Sequence, residues 1–138
     1  MIAYLDTADQ VTPDQLAGFF VGWPHPPTPA THLRLLRNST HIVLASNDQT
    51  GQVVGFITAI SDGVLSAYIP LLEVLPAYRR QGIGKELARR MLAKLEGLYM
   101  VDLLCDPEVQ SFYARLGLRP AGGMSRRDYA RQSGAPEP

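Results

Sequence analysis

The chain has 138 residues, 46% of them hydrophobic, and 13 basic residues balance 13 acidic ones. This describes one globular domain with a buried core, and a neutral chain has no general attraction for nucleic acid or an anionic membrane surface. The single cysteine, Cys105, rules out an intrachain disulfide and suits a reducing compartment; with no apolar run of roughly 18 residues and no secretory-signal pattern at Met1–Asp6, a cytoplasmic protein is expected.

Ile2 to Leu5 reads as a short strand. Thr12-Pro13-Asp14-Gln15 reads as a helix start, with Thr12 as cap, Pro13 at the first helical position and Leu16, Phe19 and Phe20 as the apolar stripe. Four prolines within 23–29 exclude regular helix there, and a second short helix is expected over Thr31 to Arg37. His41–Ser46 and Gln52–Ile60 form a hairpin around Asn47–Gly51, and Asp62-Gly63 turns into a third strand over Leu65–Val74. Pro70 lies inside that strand, where it is tolerated only at a bulge or an unpaired position, so the strand should be distorted between Pro70 and Val74. Ile83, Leu87, Met91, Leu95 and Leu98 recur at helical spacing, with Lys85, Glu86, Arg89, Arg90, Lys94 and Glu96 on the other face, and Gly97 as the stop. Met100–Cys105 is the next strand, and the strand–helix–strand order favours a right-handed parallel crossover. A helix opens at Pro107, runs through Phe112 and Leu116 and closes at Gly117; Leu118–Tyr129 is expected to form a closing hairpin around Gly122-Gly123, and residues from about 130 to 138 a frayed tail.

The informative stretch is Leu72 to Lys85. It ends a strand, turns through Arg79, Arg80, Gln81, Gly82 and Gly84, and begins the amphipathic helix. Such a junction aims successive backbone N–H groups at one point, which suits a phosphate or pyrophosphate. Arg79, Arg80, Lys85, Arg89 and Arg90 cluster around it. A dinucleotide fingerprint is a poor fit because Leu87 takes the third small position, and a Walker A loop because Glu86 follows Lys85.

With these residues in hand, the chain resembles the GNAT superfamily of acetyl-CoA-dependent N-acetyltransferases. The likeness rests on Leu72-Glu73-Val74 through Tyr78-Arg79 to Gly82-x-Gly84, on the helix that follows, and on Asp106 through Phe112-Tyr113 to Gly117-Leu118. The family more often has Asn where Asp106 stands and Phe where Leu118 stands. The resemblance implies a single α/β (α+β) domain over 1–138: a mixed, mostly antiparallel twisted sheet with helices on both faces and splayed central parallel strands. It implies acetyl-CoA as co-substrate between those strands, with the pantetheine on the backbone of Leu72 and Val74 and the pyrophosphate on N–H groups of Arg80, Gln81, Gly82, Ile83, Gly84 and Lys85, beside Arg79.

The implied reaction is direct attack of a primary amine on the thioester in a ternary complex. Glu73, the one carboxylate in the distorted strand, is the first candidate for general base, with Tyr68 and Asp102 as rivals. The N–H of Leu72 is the candidate donor to the carbonyl oxygen. Tyr113, by resemblance, is the candidate acid toward sulfur. Phe19 to Thr31 would border the acceptor cleft. Cys105 reads as a small buried residue rather than a nucleophile, and His25, His32 and His41 lack metal-ligand spacing, so no metal is expected. The expected partners are a small-molecule or peptide amine, with no nucleic acid and no membrane; a homodimer is compatible with the fold. The alternatives are a non-catalytic acyl-CoA-binding or regulatory module on the same fold, and a nucleotide-binding protein using the same turn.

Overall fold

The structure, a computed structural model, describes residues 1–135. Six strands form one mixed sheet: β1 (Ile2–Leu5), β2 (His41–Asn47), β3 (Val53–Ser61), β4 (Ser66–Tyr68), β5 (Leu72–Val74) and β6 (Met100–Asp102). The order is β1-β2-β3-β4-β6, with β5 also on β3. Every pairing is antiparallel except β4 with β6, where Ser66, Ala67 and Tyr68 face Met100, Val101 and Asp102 in parallel register. Three helices complete the fold: α1 (Pro29–Asn38), α2 (Ile83–Lys94) and the short α3 (Gln110–Ala114).

The central strands β2 and β3 are buried almost without interruption, as expected for strands covered on both faces. Register assigns the faces. Gly55 opposes Val74 and lies under Leu87 and Ile83, so this face carries α2; a Cβ on Gly55 would lie 3.0 Å from Leu87 and 3.3 Å from the Glu73 carbonyl, a tight approach that glycine avoids. Phe56 opposes Glu73 on the other face, where its ring meets His32 of α1 at 4.4 Å.

Several expectations need correction. The first helix is one 3-10 turn, Pro13–Leu16; Gly18 at φ 94° ends it, and Phe19 and Phe20 are buried by the turn that follows. Helix α1 begins at Pro29, two residues before the expected start, capped by Thr28 Oγ1 accepting from the Thr31 N–H at 3.2 Å. Helix α2 ends at Lys94, short of Leu98, and Gly97 at φ 95° sits in the turn beyond. No closing hairpin forms: residues 118–128 contain no strand and are exposed from Arg119 onward, with Gly123 passing close to Leu104. The end of the chain is tied down as far as it is described, because Gln132 Oε1 accepts from the His25 N–H and the Gly134 carbonyl from Arg34. Residues 136–138, the last of the expected frayed tail, lie outside the described residues.

Candidate functional site

The expected third strand is two strands, β4 and β5, broken at Ile69–Leu71 around Pro70. The distortion therefore lies just before Leu72–Val74 rather than within it. Pro70 has no N–H to continue a ladder. The Ile69 N–H donates to the Asp102 carbonyl at 3.0 Å, and beyond that bond β5 follows β3 alone. Among the described residues, no backbone hydrogen bond joins residues 70–75 to residues 103–110. The sheet forks there.

Two bonds fix which groups face the fork. The Thr58 N–H donates to Leu71 O, and the Leu75 N–H to Val54 O at 2.8 Å. In an antiparallel pair, hydrogen-bonded residues alternate. Leu71, Glu73 and Leu75 thus spend their backbone groups on β3, and those of Leu72 and Val74 point into the fork. This alternation along the strand turns the Leu72 N–H outward. Arg79 Nε donates to the Val74 carbonyl at 2.9 Å, which folds the next turn back against the strand.

That turn is built from left-handed backbone. Arg80 has φ 64° and Gly82 φ 81°, and Gly82 is the N-cap of α2, with no side chain to accept the first N–H groups. The Glu86 N–H is the first to find a helical carbonyl, that of Gly82 at 3.1 Å. The N–H groups of Ile83, Gly84 and Lys85 consequently point out of the helix start without a capping group. Space above Gly84 is bounded by Val74 and Phe112, whose nearest atoms would lie 3.7 and 3.9 Å from an added Cβ. The residues present suit an anionic group joined to an extended chain: uncapped N–H groups, the exposed cations Arg80 and Lys85, and a strand edge beside them. This fits the coenzyme A that the resemblance implies. Arg89 and Arg90 do not join this cradle. Both bond Glu86, at 2.5 and 2.6 Å, and hold its carboxyl at about 2; Arg90 also stacks on Tyr4 at 4.4 Å.

Glu73 leaves the sheet on the α1 face. Its Oε1 accepts from the Phe20 N–H at 2.8 Å and its Oε2 from the Val21 N–H at 3.3 Å. The turn it holds is unusual, since Gly18, Phe20 and Gly22 all have positive φ and Phe20 has a side chain. Its rivals Tyr68 and Asp102 oppose each other at the last rung before the fork.

Tyr113 stands on α3, its ring edge-on to Phe112 at 4.9 Å. Burial, chiefly, raises its phenol above the ordinary value. The hydroxyl therefore stays protonated at neutral pH, and no protein group among the described residues hydrogen-bonds it. Cys105 is only half-buried and lies just beyond β6, in the segment that leads to α3. Asp106 is exposed and its side chain caps nothing. Among the described residues there is no cluster of His, Cys, Asp and Glu able to hold a metal ion.

Two roles escaped sequence reasoning. Tyr78, read only as part of a motif, accepts a bond from Asn47 Nδ2 at 3.1 Å, pinning the turn to the β2–β3 hairpin. His32 is buried among Phe19, Phe20 and Phe56 with neither ring nitrogen partnered among the described residues, and burial lowers its pKa to about 4. The helical spacing of His32, Leu33 and Leu36 was a usable signal for the buried side of α1.

Comparison with known proteins agrees with this geometry. The model of the acetyltransferase (GNAT) family matches residues 8–118. A crystal structure of a candidate acetyltransferase from Deinococcus radiodurans R1 is 52% identical, with a TM-score of 0.95 over 99% of this chain and 94% of that one. A GNAT-family acetyltransferase from Streptococcus pneumoniae TIGR4 is 28% identical, with a TM-score of 0.75 over 93% of this chain and 98% of that one. GCN5-related N-acetyltransferase 1, chloroplastic, from Arabidopsis thaliana is 30% identical over 115 residues, 80% of this chain; the chain spans 58% of that relative's length. The chain belongs to the acetyltransferase (GNAT) family.

Proposed function

We propose that the protein is an N-acetyltransferase that moves an acetyl group from acetyl-CoA to a primary amine by direct attack in a ternary complex. The observation that carries this reading is the fork. The outward-facing backbone of Leu72 and Val74 and the uncapped start of α2 form one continuous surface, suited to pantetheine at one end and pyrophosphate at the other. Arg79, Arg80, Gln81, Gly82, Ile83, Gly84 and Lys85 build the pyrophosphate end. A half-exposed lone cysteine, Cys105, suits a reducing compartment such as the cytoplasm.

The chemistry follows from this placement. A lysine-like amine with pKa about 10.4 is neutral only about once in 2,500 molecules at pH 7, so removing its proton is part of the work. The new C–N bond forms as the C–S bond breaks; one proton leaves the nitrogen and one reaches the thiolate. The Leu72 N–H is the donor for the carbonyl oxygen. Tyr113, kept protonated, hydrogen-bonds the departing sulfur. Glu73 takes the amine proton through a water, since a carboxylate has about four acceptor positions and the Phe20 and Val21 N–H groups use two.

Release of free thiol from acetyl-CoA across a panel of amines tests the reading. Turnover on at least one amine is expected, and Tyr113→Phe should lower kcat by about 100-fold or more with little change in KM for acetyl-CoA. An unchanged kcat would remove Tyr113 from the mechanism. The engagement of Glu73 by two backbone N–H groups favours one second reading, a non-catalytic acyl-CoA-binding module. Tight coenzyme A binding with no turnover on any amine would establish it. Relatives near 30% identity are named for acceptors as different as a histone and serotonin, so membership of the family leaves the acceptor to be read from this chain's own residues.

A further inference from the structure

A cavity of ≈ 320 Å³ opens on the α1 face of the sheet, opposite α2. Phe20 and Trp23 form one wall, with ring centroids 4.8 Å apart, and Leu35 and Leu71 continue the apolar lining. Leu71 lies at the break that opens the fork, and Phe20 donates its N–H to Glu73. Glu73 does not itself line the cavity; Phe20, which does, links the cavity to that carboxylate, and Leu71 links it to the break that opens the fork. At the rim stands Arg34. It is the only charged residue lining the cavity among the described residues, and a single N–H of its guanidinium, on Nη2, is spent on the Gly134 carbonyl at 2.6 Å. The remaining N–H donors of that planar fork suit a carboxylate.

Size, lining and charge select among amines. The volume is at the small end of ligand pockets and suits one ring with a short chain. A polyamine or a many-amine sugar would meet no lining carboxylate and one cation, an arrangement that repels it. An amine with a flat apolar body and an acid group satisfies all three features. Resting on the acetyltransferase reading above, we propose that the acceptor is an aromatic amino acid: its ring against Phe20 and Trp23, its carboxylate at Arg34 and its amine directed toward Glu73.

Trp23 is the only tryptophan in the chain and is part of the wall, so its emission reports occupancy directly, without acetyl-CoA. The probes are L-phenylalanine and 4-(aminomethyl)benzoate, which carry ring, amine and carboxylate, against benzylamine and spermidine, which lack the carboxylate. We expect at least one of the first pair to shift Trp23 emission saturably and to bind at least about tenfold tighter than benzylamine. Arg34→Gln, with its fold checked by circular dichroism, should abolish that preference while leaving benzylamine within about twofold. The proposal is overturned if neither carboxylate-bearing probe binds better than benzylamine, if spermidine binds as tightly, or if the preference survives Arg34→Gln. Because binding is read without the thioester, such a failure leaves the transferase reading standing; absent coenzyme A binding or turnover would instead strike that reading.

Discussion

Glu73 carries two demands that pull against each other. As a structural group it holds the Phe20 and Val21 N–H groups and so stabilises a turn with a non-glycine residue at φ 63°. As a base it must keep lone pairs for water or amine. Glu73→Gln separates the two. The amide keeps one acceptor oxygen, so thermal denaturation should show a loss of about 1.5–3 kcal/mol, the range for a hydrogen bond to a charged group. If Glu73 is also the base, the acidic limb of the kcat/KM–pH profile should vanish in the variant; an unchanged limb would leave only the structural role. His32 makes a prediction of a different kind. Burial lowers its pKa from 6.5 to about 4, so the unfolded chain binds a proton across this window and the folded chain does not. Its contribution is fully present above pH 6.5 and is lost as pH falls toward about 4, by about 3 kcal/mol in all. Urea denaturation between pH 7 and 4.5 should therefore show a steeper loss for the native chain than for His32→Leu. Equal slopes would refute the burial of a neutral imidazole.

The elements show where a sequence pattern reaches and where it stops. Asp62-Gly63 was legible as a turn, and the structure gives the reason: Asp62 Oδ1 accepts from the Val64, Leu65 and Ser66 N–H groups, which holds its carboxyl at about 2. Pro70 was legible as a distortion because a residue without an N–H cannot serve a central ladder, although the break lies at 69–71. The closing hairpin was misread for the opposite reason. Gly122-Gly123 is a turn signal, but the flanks from Leu118 to Tyr129 have few apolar residues and no alternation, and two bare strands bury too little to offset the entropy of ordering them. The first helix failed on a local rule, because Gly18 in left-handed backbone stops it before Phe19 and Phe20 can form a stripe. Glu73's contact with residues 20 and 21 spans more than 50 positions, and no local pattern encodes it. The same backbone argument gives a prediction for the start of α2. Gly82 has open space around it but φ 81°, which costs an L-residue roughly 1–2 kcal/mol. Gly82→Ala should relax that turn, misalign the N–H groups of residues 83–85 and weaken coenzyme A by about tenfold or more in calorimetry. Unchanged affinity would mean that the turn does not hold the pyrophosphate.

At the scale of the whole molecule, the sheet separates the two halves of the proposed reaction. The α2 face carries the anion cradle, and the α1 face carries Glu73, the Phe20–Trp23 wall and the cavity. The fork is where the two faces communicate. The end of the chain belongs to one side only. Among the described residues, 119–127 make no backbone–backbone hydrogen bond, and their one side-chain bond there, from Arg127 to the Arg126 carbonyl, is local; Gln132 and Gly134 then line the cavity and bond His25 and Arg34. A segment joined to the body by so few contacts adds little to global stability, yet it forms a wall of the proposed acceptor site. Ending the chain after Arg127 should accordingly leave the melting transition nearly in place and coenzyme A affinity within about twofold, because the fork and α2 are built by residues 53–117. Occupancy of the cavity by 4-(aminomethyl)benzoate, read by Trp23 emission, should fall by about tenfold, since Arg34 loses the carbonyl that orients it. Equal loss of both ligands would show that the tail supports the whole sheet, and equal retention would show that the α1 face closes without it.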